Sequence, residues 1–146
     1  MKRTFAAAAP SLAAVMLAGC AALEPPAASD EPLENTYWKL TRLGDGDVTA
    51  VANQREAHLV LHAEERRVAG SGGCNRLMGS YDLEGEALRF GRLATTMMAC
   101  PAGMQTERAF LDALEEVAVW EVEGMHLTLS DADGEPLADF EAVHLY

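Results

Sequence analysis

The three cysteines carry the most reactive side chains in this sequence, and their positions predict two different kinds of chemistry. Cys20 ends an apolar run near the N-terminus, whereas Cys74 and Cys100 lie in the body of the chain. In an oxidising compartment an even pair of cysteines favours a disulfide, which would stabilise the fold by roughly 3–4 kcal/mol. Two free buried thiols are the alternative, and the sequence has no C-x-x-C motif that would suggest a redox-active pair.

The residues before Cys20 predict export and lipidation. Lys2 and Arg3 precede an apolar run over residues 5–17, which is shorter than the ~20 residues that span a bilayer. The predicted leader comprises residues 1–19. Its last three residues and Cys20 form the sequence L-A-G-C, which resembles the lipobox of bacterial lipoproteins. This resemblance implies cleavage before Cys20 and a lipid anchor on it, the alternative being an ordinary secretory signal. Two alanines follow, and the absence of Asp there resembles lipoproteins of the outer membrane that face the periplasm.

Composition and charge limit what the rest of the chain can do. Residues 20–33 are rich in Ala, Pro and acids, have no apolar periodicity and predict a flexible linker, whereas residues 34–146 predict one domain. The chain has 11 basic and 23 acidic residues and a formal charge of -12. Nucleic acid is therefore not an expected partner, because binding to phosphates requires a surface rich in Lys and Arg.

Sulfur-containing residues cluster around Cys100, and soft ligands of this kind select Cu(I). The cluster comprises Met97, Met98, Cys100 and Met104. A disulfide would remove the thiolate, and Met97 and Met98 would point to opposite faces of an extended segment. We therefore expect these methionines to pack in the core, where a flexible thioether chain fills irregular space.

The remaining candidate ligands and nucleophiles favour structural roles. His58 and His62 would lie ~13 Å apart on a strand, which is too far for one metal ion. Residues 45–47 and 131–134 predict turns that lack the Gly and Glu positions of a calcium loop. Ser71 has no evident paired catalytic base, and the glycines after it are expected to bend the strand or to approach the helix closely. We expect no enzymatic activity, no metal site and no cofactor, with solvated surface positions for all four histidines: His58, His62, His126 and His144.

The apolar periodicity of residues 34–146 predicts short strands and a single helix. A helix is predicted over residues 103–116, and its acids are expected on a solvated face. The spacing of one helix face is shown by Met104, Phe110, Leu111, Leu114 and, just after that range, Val117. Alternating segments between Gly/Asp turns predict an α+β fold, with a small curved antiparallel β-sheet, partly open and barrel-like, packed on that one main helix. The acids expected in solvent are Glu107, Asp112, Glu115 and Glu116, and the strands are expected near residues 36–41, 58–62, 67–70, 81–83, 87–90, 117–123, 126–130 and 137–143.

Several motifs together resemble the META domain, the family of HslJ-like lipoproteins. The central motifs are Gly70-Ser71-Gly72-Gly73-Cys74-Asn75 and Thr95-Thr96-Met97-Met98-Ala99-Cys100. The resemblance covers residues 34–146, with further matches at Trp38, Leu40, Gly79, Tyr81, Glu107, Phe110, Leu114, Leu127, Leu129 and Phe140.

The resemblance implies a small, mostly antiparallel domain without an established enzymatic activity. Members of the family are linked to stress and antibiotic tolerance, and they look similar to pilotin lipoproteins of secretion systems. The first hypothesis is a lipid-anchored, non-enzymatic envelope protein that acts as a binding or assembly module, with an unidentified envelope protein as its partner. The alternative is a carrier of a small hydrophobic ligand in a groove between sheet and helix.

Overall fold

A computed structural model describes residues 29–144, which form ten strands and one helix. Cys20, the predicted leader and most of the predicted linker lie outside the described residues. Within residues 29–144, no helix is both long and apolar enough to cross a lipid bilayer. The elements are β1 Tyr37–Leu43, β2 Gly46–Asp47, β3 His58–His62, β4 Arg67–Ser71, β5 Arg76–Glu84, β6 Ala87–Phe90, β7 Ala94–Thr95, α1 Met104–Glu116, β8 Val119–Glu123, β9 His126–Ser130 and β10 Pro136–Val143.

Eight of these strands close into an antiparallel barrel. The order around the circuit is β1, β3, β4, β5, β6, β8, β9 and β10, and β10 returns to pair with β1. In this closing ladder Tyr37 pairs with Val143 and Leu43 with Ala138. The strands β2 and β7 are short additions that pair with β1 and β5. The predicted antiparallel sheet with one main helix is confirmed, and the β1–β10 ladder closes the side that the sequence predicted as partly open.

Alternation of buried and more exposed residues builds the barrel wall. In β3 the side chains of Leu59 and Leu61 are buried, whereas the residues between and beside them are more exposed, as the two-residue period of a strand requires. Large side chains fill the interior, so the barrel is packed rather than hollow. The largest fully buried ones are Trp38, Tyr81, Phe110 and Phe140.

Helix α1 lies across one end of the barrel. It contacts β1, β6 and β10, and β1 and β6 stand on opposite sides of the eight-strand circuit. Its apolar face brings Phe110 and Leu114 into the core, where the Phe110 ring lies 6.0 Å from the Phe140 ring, centroid to centroid. The end of the barrel that α1 covers is called the helix end below.

The β4–β5 turn lies at the helix end, and the chain enters the barrel at the opposite end. His58, the first residue of β3, pairs with Ser71 beside the β4–β5 turn. The segment that precedes β1 reaches the other end of β3, where the Asn35 N–H donates to the Leu61 carbonyl at 2.7 Å. This second end, contacted by residues 30–36, is called the entry end.

Residues 30–36 pack along the entry end instead of extending from it. Leu33 is buried, and its carbonyl accepts a hydrogen bond of 2.9 Å from Trp38 Nε1. The Glu31 N–H donates to the Gly124 carbonyl in the β8–β9 turn at 2.8 Å. Most of the described part of the predicted linker is therefore held against the barrel, because Leu33 gives it an apolar side chain to bury.

Two tyrosine hydroxyls donate hydrogen bonds to carboxylates that flank the barrel wall. Burial, followed by the neighbouring Glu56 carboxylate, raises the pKa of Tyr37 to about 12. Burial and the hydrogen bond to Glu34 raise the pKa of Tyr81 above its ordinary value. The Tyr81–Glu34 bond ties the entering chain to β5.

A close approach of β3 to β4 requires glycine at position 70. A Cβ atom on Gly70 would lie 2.1 Å from the His58 carbonyl oxygen, which belongs to the backbone and cannot rotate away. We expect Gly70→Ala to lower the free energy of unfolding by about 2–3 kcal/mol in urea titrations. Gly46→Ala is the matched control, because its Cβ would meet nothing closer than 3.7 Å, and we expect a change within about 0.5 kcal/mol. Equal effects of the two substitutions would contradict the close β3–β4 packing.

Candidate functional site

The β4–β5 turn is held closed by its own backbone and by one hydroxyl group. The Gly72 N–H donates to the Asn75 carbonyl at 2.9 Å, and Ser71 Oγ donates to the same carbonyl at 3.1 Å. Ser71 Oγ also accepts a hydrogen bond of 3.1 Å from the Gly73 N–H. Gly73 has a φ of 115°, a left-handed conformation that favours glycine. The turn therefore presents Cys74 and Asn75 in a defined orientation.

A buried carboxylate from the helix binds this turn. Glu107 is 5% exposed, and its two oxygens accept hydrogen bonds from Asn75, one from the backbone N–H at 2.6 Å and one from Nδ2 at 2.7 Å. A Cβ on Gly72 would lie 2.4 Å from Glu107 Cγ, so this glycine leaves room for the helix side chain, as the sequence predicted.

The prediction that Glu107 lies on a solvated helix face is wrong. Its spacing to Phe110 and Leu114 places it on the buried face, and all three residues of that face are buried. The carboxylate tolerates burial because two N–H groups replace its water. The other acids of that prediction, Asp112, Glu115 and Glu116, are exposed, as expected.

The side chain of Asn75 also binds the segment that follows β7. Asn75 Oδ1 accepts hydrogen bonds from Thr96 Oγ1 at 2.8 Å and from the Met98 N–H at 2.7 Å. Asn75 Nδ2 donates additionally to the Met98 carbonyl at 3.1 Å. A single buried asparagine thus joins the β4–β5 turn, the helix and residues 96–98.

Cys74 and Cys100 form a covalent link beside this network. Their sulfur atoms lie 1.95 Å apart, at disulfide bonding distance, and their Cα atoms are 6.0 Å apart. The link connects the β4–β5 turn to the segment that leads into α1. Cys74 is buried and Cys100 is partly exposed.

The prediction that the methionines near Cys100 pack in the core is wrong for two of them. Met97 is 97% exposed and Met98 is 58% exposed, while Met104 is half-buried. The backbone of Met98 binds Asn75, and its segment runs over the barrel surface, so these side chains face outward.

A cavity of about 390 Å³ lies at the helix end between three segments of the chain. Its walls come from residues 53–55, from the β4–β5 turn with the start of β5, and from residues 96–100. Gln54 braces one wall, because its Nε2 donates to the Ala102 carbonyl at 2.9 Å. The guanidinium-bearing side chains of Arg55 and Arg76 line the cavity, together with Met98 and the disulfide. The arrangement suits binding of a molecule that is partly anionic and partly apolar.

The other residues that the sequence analysis considered lie apart from this cavity. His62, His126 and His144 are exposed, as expected, whereas His58 is half-buried and stacks on the Tyr37 ring at 4.4 Å. Across residues 29–144, no three or more His, Cys, Asp or Glu side chains gather in a way that could hold a metal ion. In the predicted turn at 131–134, Asp131 Oδ1 accepts from the backbone of Asp133 at 2.9 Å.

Sequence reasoning missed the residues that organise the site. The burial of Glu107 had a usable signal, since its spacing to Phe110 and Leu114 is that of one helix face. Asn75 had none beyond its place in a motif, because its hydrogen-bond partners are about 20 to 30 residues away along the chain. Arg55 likewise has no local pattern that marks it as a cavity residue.

The fold and this turn define a class of small closed antiparallel barrels whose single helix is fastened to the β4–β5 turn. The family model of the META domain matches residues 31–144. The chain therefore belongs to the META domain family, as its motifs predicted. No curated protein matches the chain.

Solved structures resemble this barrel over most of its length. An NMR structure of a protein from Burkholderia xenovorans is 29% identical, with a TM-score of 0.63 over 89% of this chain and 99% of that one. Another NMR structure is 23% identical, with a TM-score of 0.58 over 75% of this chain and 90% of the other. A crystal structure of a DUF4847 family protein from Bacteroides vulgatus is 10% identical, with a TM-score of 0.52 over 75% and 93% of the two chains. The last two similarities concern the fold alone.

The buried carboxylate predicts a large effect of a small substitution. Glu107→Gln keeps the shape but replaces one acceptor oxygen with an NH₂ group, which would face an N–H of Asn75. We expect it to lower the free energy of unfolding by about 2 kcal/mol, as measured in urea. Glu115→Gln, at an exposed position of the same helix, should change it by less than about 0.5 kcal/mol. Similar values for both variants would show that the Asn75 bonds do not stabilise the fold.

The link between Cys74 and Cys100 predicts a stability that depends on reductant. Because the two residues are 26 positions apart, the closed loop should contribute roughly 3–4 kcal/mol. We expect dithiothreitol to lower the free energy of unfolding by that amount and to have no effect on a Cys74→Ser/Cys100→Ser variant. Unchanged stability after thiol labelling has verified complete reduction would contradict a stabilising role for this link.

Proposed function

We propose that this chain is a lipid-anchored, non-enzymatic binding module of the cell envelope, active in stress or antibiotic tolerance, whose binding surface is the cavity at the helix end. The position of this cavity carries the proposal. It opens at the barrel end opposite the one where the chain arrives from the predicted anchor at Cys20. A domain tethered through the residues after Cys20 would present the cavity to the periplasm and away from the outer membrane.

The hydroxyl group of Ser71, a residue that lines the cavity, has a structural role. Ser71 Oγ donates to the Asn75 carbonyl and accepts from the Gly73 N–H, each at 3.1 Å. A serine nucleophile requires a hydrogen bond to a base that can remove its proton, and a backbone carbonyl is not such a base. These partners support a binding function rather than covalent catalysis at this turn.

The geometry gives less support to the alternative of a hydrophobic carrier. A groove between sheet and helix would need apolar space there, but the cavity beside the start of α1, lined by Gly103 and Thr106, measures about 30 Å³. That volume is about one water molecule's share of the liquid. Side chains such as Phe110 and Phe140 fill the barrel interior below it.

Site-specific photo-crosslinking in cells tests the proposed binding surface. A photoreactive residue replaces Met97, which is 97% exposed beside the cavity, in the full-length protein. The matched position is Met125, which is 42% exposed at the entry end in the β8–β9 turn. We expect position 97 to give discrete adducts, small-molecule or protein, at least about tenfold more abundant than those from position 125. Intact-mass analysis of membrane-extracted protein measures the small-molecule adducts, and electrophoresis measures the protein adducts.

The same cells test the anchor. Cys20→Ser should move the protein out of the membrane fraction, and the unsubstituted protein should carry the mass of a lipid-modified cysteine.

Equal crosslinking from both ends, or none from position 97, would overturn the assignment of the cavity as the binding surface. An unlipidated Cys20 would overturn the lipid anchor, and the crosslinking result would then decide the binding surface by itself.

A further inference from the structure

The cavity at the helix end carries two positive charges that no acid of the described chain neutralises. Arg55 and Arg76 both line it and are exposed, and neither forms an ion pair within residues 29–144. Arg66, Arg89, Arg92 and Arg108 also form no ion pair within residues 29–144, but they do not line this cavity. Unopposed guanidinium groups at a concave surface attract anions, because the cavity walls reduce screening by solvent.

Two acids beside the cavity segments, Glu56 and Glu107, have other partners. Glu56 follows Arg55, but its carboxylate lies 3.4 Å from Lys39 Nζ and accepts a 3.1 Å hydrogen bond from the Tyr37 hydroxyl. Glu107, behind the β4–β5 turn, uses both carboxylate oxygens within its buried hydrogen-bond network. Neither carboxylate is available to the cavity, so the positive charge there remains for a ligand.

The other walls of the cavity are largely apolar. Met98, 58% exposed, lines it together with the Cys74–Cys100 disulfide. An apolar ligand group that covered Met98 would remove this surface from water and gain roughly 25 cal/mol per Å². Asn53 also lines the cavity, and its carboxamide makes no hydrogen bond within residues 29–144, so it can donate to a ligand oxygen.

The cavity wall formed by residues 96–100 is fixed in place without a ligand. The Asn75 side chain holds the backbone of residues 96–98, and the disulfide fixes the same segment to the β4–β5 turn. A ligand therefore loses little free energy in ordering this wall, because the wall is already ordered.

We propose that this cavity binds a small amphiphilic anion, whose carboxylate or phosphate group is held by Arg55 and Arg76 and whose apolar part lies against Met98 and the disulfide. The inference rests on the proposed function and names its class of ligand. Arginine suits both anions because its planar fork can donate two parallel hydrogen bonds to a pair of oxygens.

Calorimetric titration with simple probes tests the ligand class. The mature lipidated protein in nanodiscs of zwitterionic lipid is titrated with hexanoate and with hexyl phosphate, and empty nanodiscs provide the reference. Inorganic phosphate lacks the apolar part, and hexanol lacks the charge. We expect at least one of the two amphiphilic anions to bind, with inorganic phosphate and hexanol at least about tenfold weaker. The tighter of the two anions identifies whether carboxylates or phosphate esters are preferred.

Arginine variants connect binding to this cavity. Arg55→Gln and Arg76→Gln should each weaken binding by about tenfold or more, the loss expected for a charged hydrogen bond. Arg108→Gln removes the same charge from an exposed position on α1 and should change affinity by less than about twofold. Arg55→Lys keeps the positive charge but lacks the paired N–H donors of the guanidinium group. It replaces Arg55→Gln if that variant does not fold.

The outcomes separate this inference from the proposed function. Absence of binding by both anions, equal binding of hexanol, or an equal loss in the Arg108→Gln variant would overturn the anion inference. If crosslinking from position 97 persists in the Arg55→Gln/Arg76→Gln variant, the cavity remains the binding surface and only the ligand class fails. If crosslinking from position 97 is also absent in the unsubstituted protein, both fail.

Discussion

A buried carboxylate is the constraint on which the rest of the site depends. A charge such as that of Glu107 can leave water only if other donors replace the hydration that it loses, and the two N–H groups of Asn75 do so. This requirement leads to glycine at position 72, where a Cβ would collide with Glu107. The remaining polar atoms of the Asn75 side chain then hold Thr96 and Met98. One helix side chain thus orients the turn and, through it, a wall of the cavity.

In the proposed function, the supporting parts of the barrel lie apart from the binding surface. Its interior is filled, and the β1–β10 ladder removes the free edges that an open sheet would present for pairing with other chains. The entry end is tied down by Leu33 and by the bonds of Glu31 and Glu34, while the helix end carries the disulfide and the cavity. Segments that bind other molecules are often loops on a rigid scaffold, and the two ends of this barrel follow that division.

Net charge and local charge point to different partners in this protein. The total of -12 argues against polyanions as partners, and it describes the average surface. Around the cavity the balance is reversed, since Lys39, Tyr37 and Asn75 bind the nearby carboxylates and leave Arg55 and Arg76 unopposed. A small anion would be attracted by the positive charge of the two arginines, whereas a long polyanion would also be repelled by the acidic residues on the rest of the surface. Under the proposed anion binding, the same chain would repel nucleic acid and attract a small acid.

The sequence by itself determined the eight barrel strands in outline, the turn at residues 131–134, the helix and the family, because periodicity, turn residues and short motifs act over a few neighbouring positions. It also indicated which cysteines could pair. Closure of the barrel, the exposure of Met97 and the burial of Glu107 were decided only by tertiary structure. Each depends on contacts between segments far apart in the chain, such as β1 with β10 or Asn75 with Glu107. The cavity belongs to the same group, because Arg55 and Arg76 come together only when residues 53–55 and 96–100 pack around the β4–β5 turn.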